Sequence, residues 1–143
     1  MDRYLSDIEN SFKSPNLIDN FNPIVYTFNN TIYSDSDKDL LFGETVIYPG
    51  QVNNEYFMTK GHHHKIPCAE VYYGLEGTAI VLCENDTDSY EVELTPGKVA
   101  YCKAGYAHRV INPTNKICRF FCVCRADAGH NYDVEFKKRY FSK

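Results

Sequence analysis

The segment Tyr90-Glu91-Val92-Glu93-Leu94 alternates apolar and charged residues strictly, which predicts a strand with one buried and one wet face. Other β-prone runs are Glu55 to Met58, Val71 to Tyr73, Ala79 to Leu82, Val99 to Cys102, His108 to Ile111 and Ile117 to Cys124. Turn signals punctuate them at Pro49-Gly50, Lys60-Gly61, Glu76-Gly77, Asn85 to Asp88, Pro96-Gly97, Ala104-Gly105 and Asn112 to Asn115. From Thr45 onward this cadence predicts an all-β sandwich or barrel. Upstream, Leu5, Ile8 and Phe12 recur at helical spacing and predict one short N-terminal helix. Pro23 to Tyr26 and Leu40 to Phe42 read as strand pieces around a polar loop at Asp35 to Asp39.

The chain has 143 residues, one domain's worth, with 43% apolar and 24% charged residues, which argues against disorder. Its expected partition is a helix and arm over 1–22, a barrel over 23–135 and a tail over 136–143. No apolar run is long enough to cross a bilayer, and Met1 to Lys13 lacks the apolar core of a leader, so no membrane association and a cytoplasmic location are expected. A net charge of −4 without a basic stripe argues against nucleic acid as a partner. Six cysteines at 68, 83, 102, 118, 122 and 124 form no CxxC pair and read as free thiols. Cys118, Cys122 and Cys124 share a parity with Phe120, which places all four on one face of a strand as small buried hydrophobes.

The candidate chemistry lies in Gly61-His62-His63-His64, Glu70 and His108. On an extended chain residues i and i+2 point the same way, so His62 and His64 can reach one ion while His63 points away. Ile66-Pro67 interrupts the extended pattern and brings Glu70 back on a neighbouring strand; His108 arrives from a distant segment after the turn at Ala104-Gly105. A run of histidines also occurs in solvated loops, and an isolated histidine is often a satisfied core residue. The framed positions of Glu70 and His108 favour a divalent metal, with Fe²⁺, Mn²⁺, Ni²⁺ or Zn²⁺ all compatible with three imidazoles and one carboxylate.

The two blocks His62-x-His64, Glu70, Gly77 and Gly97, Gly105, His108, Asn112 resemble the paired motifs of the cupin superfamily. The resemblance implies an all-β cupin double-stranded β-helix, a jelly-roll barrel, with a metal held by His62, His64, Glu70 and His108. Lys103 stands where proline is usual, and five residues separate His64 from Glu70; neither departure removes a ligand.

Within the cupins, Glu44 to Gly50, Thr59 to His64, Ala69 to Leu75, Ala107 to Arg109 and Asp127 to Tyr132 are similar to the cupin-type phosphoglucose isomerases. The likeness extends upstream through Leu5 to Asp7 and Pro23 to Tyr26 and so spans most of the chain. It implies metal-dependent interconversion of glucose 6-phosphate and fructose 6-phosphate. The phosphate falls to Tyr26, Thr45, Thr59 and the Gly61 backbone, while Tyr72 and His130, with Tyr132 in the same motif, contact the sugar. Hydroxyls and a glycine amide donate to phosphate oxygens without a full positive charge, so an acidic protein is no obstacle. Taken singly, Thr45 and Thr59 are ordinary strand positions, and Tyr26 is one of twelve tyrosines.

Glu70, Tyr72 and His130 are the catalytic candidates. Glu70 either shuttles the proton between C1 and C2 or only holds the metal while a hydride shifts; His130 either assists ring opening or orients the sugar. Cys124 departs from the family, which tends to place there a tyrosine that helps bind phosphate. Two other functions fit a cupin: an iron dioxygenase acting on a small molecule, and a non-catalytic sugar-phosphate binding module. A homodimer is expected by resemblance, and the 21 tyrosines and phenylalanines among 143 residues suit an interface as well as a core.

Overall fold

The strand Cys118–Arg125 buries every second residue, Cys118, Phe120, Cys122 and Cys124, as its parity predicts. It lies in the middle of the larger sheet of the computed structural model, which describes residues 1–15 and 21–143. Part of the expected N-terminal arm, 16–20, therefore lies outside the described residues.

In chain order the elements are β1 (Asp2–Tyr4), α1 (Leu5–Ile8) continued by a 3-10 turn (Glu9–Ser11), β2 (Ile24–Ile32), β3 (Leu40–Ile47), β4 (Gln51–Val52), β5 (Glu55–Tyr56) and β6 (Glu70–Glu76). They continue as β7 (Ala79–Glu84), β8 (Ser89–Leu94), β9 (Val99–Cys102), β10 (Ala107–Ile111) and β11 (Cys118–Arg125). One sheet runs β1-β2-β3-β11-β6-β9 and a second β10-β7-β8, all pairs antiparallel. The segment through Met58 and His62 bridges onto Ile111 and His108 and so extends the second sheet. Two antiparallel sheets packed face to face give the expected jelly roll.

Burial follows the pattern. In β8, Glu91 and Glu93 are exposed while Leu94 is buried. β10 is buried at every position; Ile47, Val81 and Val110 fill the space between the sheets, while Val25 and Leu82, one position off in parity, are buried on the opposite faces. Each such side chain contributes about 1.5–3 kcal/mol relative to leaving it in water. Asn112 of the second motif is fully buried: its amide donates to Ile47 O at 3.1 Å and Lys116 O at 2.7 Å, and its oxygen accepts from the Thr114 hydroxyl at 2.8 Å. It ties the β10–β11 turn to β3.

Three details differ from expectation. The helix predicted through Phe12 begins at a capping box, where the Asp7 carboxylate accepts the Tyr4 N–H at 2.8 Å, but it stops after one α-turn because the backbone leaves helical geometry at Ile8 and is extended by Phe12; Leu5, Ile8 and Phe12 still face the core together. A hairpin joins β4 to β5 through Asn53 and Asn54, both at positive φ as a primed two-residue turn requires. His62 and His63 sit in isolated bridges rather than in a regular strand, yet the extended backbone preserves their alternation.

The last residues are integrated with the barrel. Phe136 is buried, and Phe141 bridges to Glu55. The buried Glu55 carboxylate accepts from Arg139 at 3.0 Å and from the Lys13 N–H at 2.8 Å, joining both ends of the chain to β5.

Candidate metal centre and substrate cavity

The glycine at 61 has φ +78, and a Cβ there would lie 2.6 Å from the Phe136 ring. Only glycine turns the chain there without strain or clash, and the turn delivers His62 to the barrel interior. The His62 backbone exchanges both hydrogen bonds with His108, at 3.1 and 2.9 Å, which places the two imidazoles side by side. Two residues on, His64 returns to the same point; His63 faces a separate hollow with Glu84 and Asp133. Glu70 opens β6 and points inward opposite Cys102 and Cys124.

One ligand atom from each of His62, His64, Glu70 and His108 lies within 4.8 Å of all the others. Glu70 Oε2 is 2.7 Å from His108 Nε2 and 3.1 Å from His64 Nε2, and the Nε2 atoms of His62 and His108 are 3.1 Å apart. Two ligands at about 2.0–2.1 Å from one first-row ion, set at right to tetrahedral angles, lie roughly 2.9–3.4 Å apart, so the two 3.1 Å separations match and the 2.7 Å one is slightly shorter, as a direct imidazole–carboxylate hydrogen bond is. The outer ring nitrogens are also engaged. His64 Nδ1 donates to Cys68 O at 2.8 Å, and His108 Nδ1 lies 3.2 Å from Cys102 Sγ. Such outer partners hold each Nε2 toward the centre.

Burial opposes ionisation of Glu70, yet the bonds to His108 and His64 hold its carboxyl well below the usual carboxylate range. Burial pushes His62 down to about 2, helped by His108 beside it, so its imidazole is neutral and offers a lone pair. His64 is raised because its bonds to Glu70 and to the Cys68 carbonyl overcome burial. The donor set, one carboxylate and three imidazoles aimed at one point, is the chemistry a divalent ion requires.

The cluster forms one wall of a cavity whose lining also includes Tyr26, Thr45, Thr59, Gly61, Tyr72, His130 and Tyr132. The structure thus brings every predicted site residue to one place, with His64 behind the lining as a member of the cluster. At the far end, Thr59 Oγ1 accepts the Val110 N–H at 3.0 Å, and Tyr26 Oη accepts the Lys60 N–H at 3.4 Å. With an acceptor position already used, each hydroxyl has its proton free to donate into the cavity. Arg109, buried, donates to Thr59 O at 3.1 Å and Lys60 O at 2.6 Å while lying 4.2 Å over the Phe136 ring. Burial lowers its pKa to about 10, and it fixes the backbone that carries Thr59 and Gly61.

Tyr72 is buried beside Phe120 and His108, and burial holds its hydroxyl well above the usual phenol range, so it stays a donor. His130 packs edge-on to His62 at 4.3 Å between ring centres and stacks on Tyr132 at 5.9 Å. Burial keeps His130 below the usual imidazole range.

Cys124 sits on the buried face of β11, next to Glu70 in the sheet. It pairs with Glu70 and Leu41 at the metal end, whereas Tyr26 pairs with Ile47, three inward register positions away. Phe120 and Cys122 line the cavity in its place. The substitution at 124 therefore leaves the Tyr26 end intact.

The sequence reading missed Phe28, Asn30, Leu41 and Lys60 on the cavity wall. Phe28 and Asn30 follow Tyr26 at i+2 and i+4 on β2, and Leu41 precedes Thr45 by four on β3. Strand parity carried that signal once the strands were known to run so far. Lys60 places Nζ 4.8 Å over the Tyr132 ring.

Fold and site together define a cupin carrying a three-histidine, one-carboxylate candidate metal-binding cluster. The fold resembles oxalate oxidase in complex with a substrate analogue, glycolate, at TM-score 0.63 and 10% identity over 76% of this chain and 55% of that one. Bacillus subtilis oxalate decarboxylase matches at TM-score 0.52 and 20% identity over 62% of this chain and 22% of that one. Residues 6–141 match the glucose-6-phosphate isomerase (GPI) family. The glucose-6-phosphate isomerases of Thermococcus litoralis and Pyrococcus furiosus are 38% and 37% identical, each alignment covering 99% of this chain and 77% of the relative. The chain belongs to the glucose-6-phosphate isomerase family, in its cupin form.

Proposed function

We propose that this protein interconverts glucose 6-phosphate and fructose 6-phosphate with one divalent ion held by His62, His64, Glu70 and His108. The observation that carries the reading is a single cavity with this cluster at one end and the free hydroxyl donors of Tyr26 and Thr59 at the other. Thr59 lies opposite Val110 and His62 opposite His108, so the two ends of the site stand two ladder steps apart, about 7 Å along the backbone.

Bound there, the ion would supply a Lewis acid at the sugar's C1–C2 oxygens and favour the charge that develops as the carbonyl shifts. Its identity among Fe²⁺, Mn²⁺, Ni²⁺ and Zn²⁺ is left open by the donor set. Phosphate oxygens take donors from Tyr26, Thr45, Thr59 and the Gly61 amide. Tyr72 donates to a sugar oxygen beside the cluster. Glu70 lies at the C1–C2 end and is the group to move a proton between those carbons. His130 and Tyr132, stacked at the mouth, orient the sugar and exclude water. The oxalate-enzyme likeness concerns fold alone, and a dioxygenase leaves the phosphate-end donors without a task.

We further infer a homodimer formed through the outer face of the larger sheet. Two rows cross it: Phe42, Val123, Val71 and Tyr101, then Glu44, Phe121, Tyr73 and Val99. Tyr73, Val99 and Tyr101 are exposed, and the ion pairs Arg119–Glu44 and Arg125–Asp127 frame the patch. A mostly apolar face across four strands, rimmed by charge, has the make-up of an interface core and rim, and a second copy supplies a matching face. Six unpaired thiols suit the reducing cytoplasm; among the described residues no helix is long and apolar enough to cross a membrane.

The test is a coupled assay of fructose 6-phosphate isomerisation on protein stripped with chelator and resupplied with each metal in turn. Turnover restored by a metal supports the reading. Absence of turnover despite tight sugar-phosphate binding would leave a binding module instead.

A further inference from the structure

We propose that Arg3, on the first strand, is the charged group that recognises the substrate's phosphomonoester and sets the preference for phosphorylated sugar. The inference rests on the isomerase reading and adds a residue to it. In the β1–β2 ladder Arg3 stands directly opposite Tyr26, and opposed residues on paired strands project to the same face. Tyr26 projects into the cavity, so Arg3 projects inward at the open edge of the same sheet. Its Cζ lies 5.5 Å from the ring of Phe28, the next cavity residue along β2.

Arg3 Nε is buried without a hydrogen-bond partner, and it is the one such side-chain nitrogen or oxygen among the described residues. A guanidinium donor left unpaired in the interior is costly, and this one sits against Tyr26 and Phe28, immediately behind the cavity wall that they form. Among the described residues no carboxylate forms an ion pair with Arg3. Burial pushes the Tyr26 phenol up, and the Lys60 N–H and the neighbouring Arg3 guanidinium, by charge and by hydrogen bonding, oppose that push.

The chemistry calls for such a group. A phosphomonoester carries about −1.5 to −2 charge at neutral pH, while Tyr26, Thr45, Thr59 and the Gly61 amide are all neutral donors. Lys60, the cation on the cavity lining, is drawn over Tyr132. Arginine presents a planar fork that fits phosphate oxygens two at a time. Strand β1 is held to β2 by Met1, whose ammonium donates to Phe28 O at 2.7 Å and whose carbonyl accepts the Phe28 N–H at 2.9 Å. These first residues thereby deliver the guanidinium to the substrate.

The experiment compares wild type, Arg3→Gln and Arg3→Lys as full-length, metal-loaded protein, by steady-state isomerisation of fructose 6-phosphate, inhibition by inorganic phosphate and thermal melting. Loss of a charged bidentate contact should raise KM for Arg3→Gln by about tenfold or more and weaken phosphate inhibition alike, with kcat within about twofold. Arg3→Lys should recover part of both. A lowered melting temperature or kcat with KM and phosphate inhibition unchanged would overturn the proposal and leave Arg3 a structural prop for Phe28. If wild type does not turn over fructose 6-phosphate, the isomerase reading fails by itself. Calorimetric binding of inorganic phosphate then decides: weaker binding to Arg3→Gln sustains the assignment, while equal or absent binding overturns it.

Discussion

Glu70 Oε2 lies 2.7 Å from His108 Nε2, although the two residues belong to different sheets. The candidate metal-binding cluster is thus a clasp across the barrel, with Glu70 on β6 bonded to His108 on β10 and to His64.

Glu70→Gln removes the negative charge from this clasp while keeping its shape. Disturbing only an outer partner of a ligand typically costs about 10–100-fold in metal affinity, so loss of the carboxylate should exceed that. Metal content after dialysis, with circular dichroism to confirm the fold, checks it; full metal loading would show that Glu70 is not a ligand.

Tyr72→Phe deletes one buried hydroxyl and leaves the ring packed on Phe120. One hydrogen bond to substrate is worth about 0.5–1.5 kcal/mol, so kcat/KM should fall roughly threefold to tenfold with metal content unchanged. Unaltered kinetics would remove Tyr72 from the substrate contacts.

Much of this arrangement was legible in the chain. His62 and His64 share a direction through simple alternation, and the buried face of β11 follows from the parity of Cys118, Phe120, Cys122 and Cys124. Other parts depend on tertiary closure. Asp2–Tyr4 is too short to show a strand period, so the inward aim of Arg3 emerges only from its pairing with Tyr26. The one-turn helix carries the apolar spacing of a longer one because Phe12 reaches the core from an extended backbone. That position 124 neighbours Glu70 while Tyr26 stands opposite Ile47 is visible only in the sheet register.

Arg139→Ala leaves the Glu55 carboxylate buried, with the Lys13 amide as its remaining donor. Breaking a buried pair by removing one partner costs about 3–5 kcal/mol. Urea unfolding should show a stability lower by that amount, with the His/Glu cluster intact in the folded protein. A change below about 1 kcal/mol would place this pair in the class of surface ion pairs.

Tyr73→Glu combined with Tyr101→Glu puts two like charges on the outer sheet face. Light scattering should give about twice the 16.5 kDa chain mass for wild type and the single mass for the variant. A monomeric wild type, or a dimeric variant, would remove this face as the interface.

The most direct measurement compares His63→Ala with His64→Ala for metal content and fructose 6-phosphate isomerisation after resupply of metal. Adjacent histidines face opposite ways, His64 into the cluster and His63 into a separate hollow. The expected result is near wild-type metal content and rate for His63→Ala, and for His64→Ala loss of the metal with a rate down by about 10²-fold or more. Equal activity in the two variants would contradict a metal-dependent isomerase built on His62, His64, Glu70 and His108.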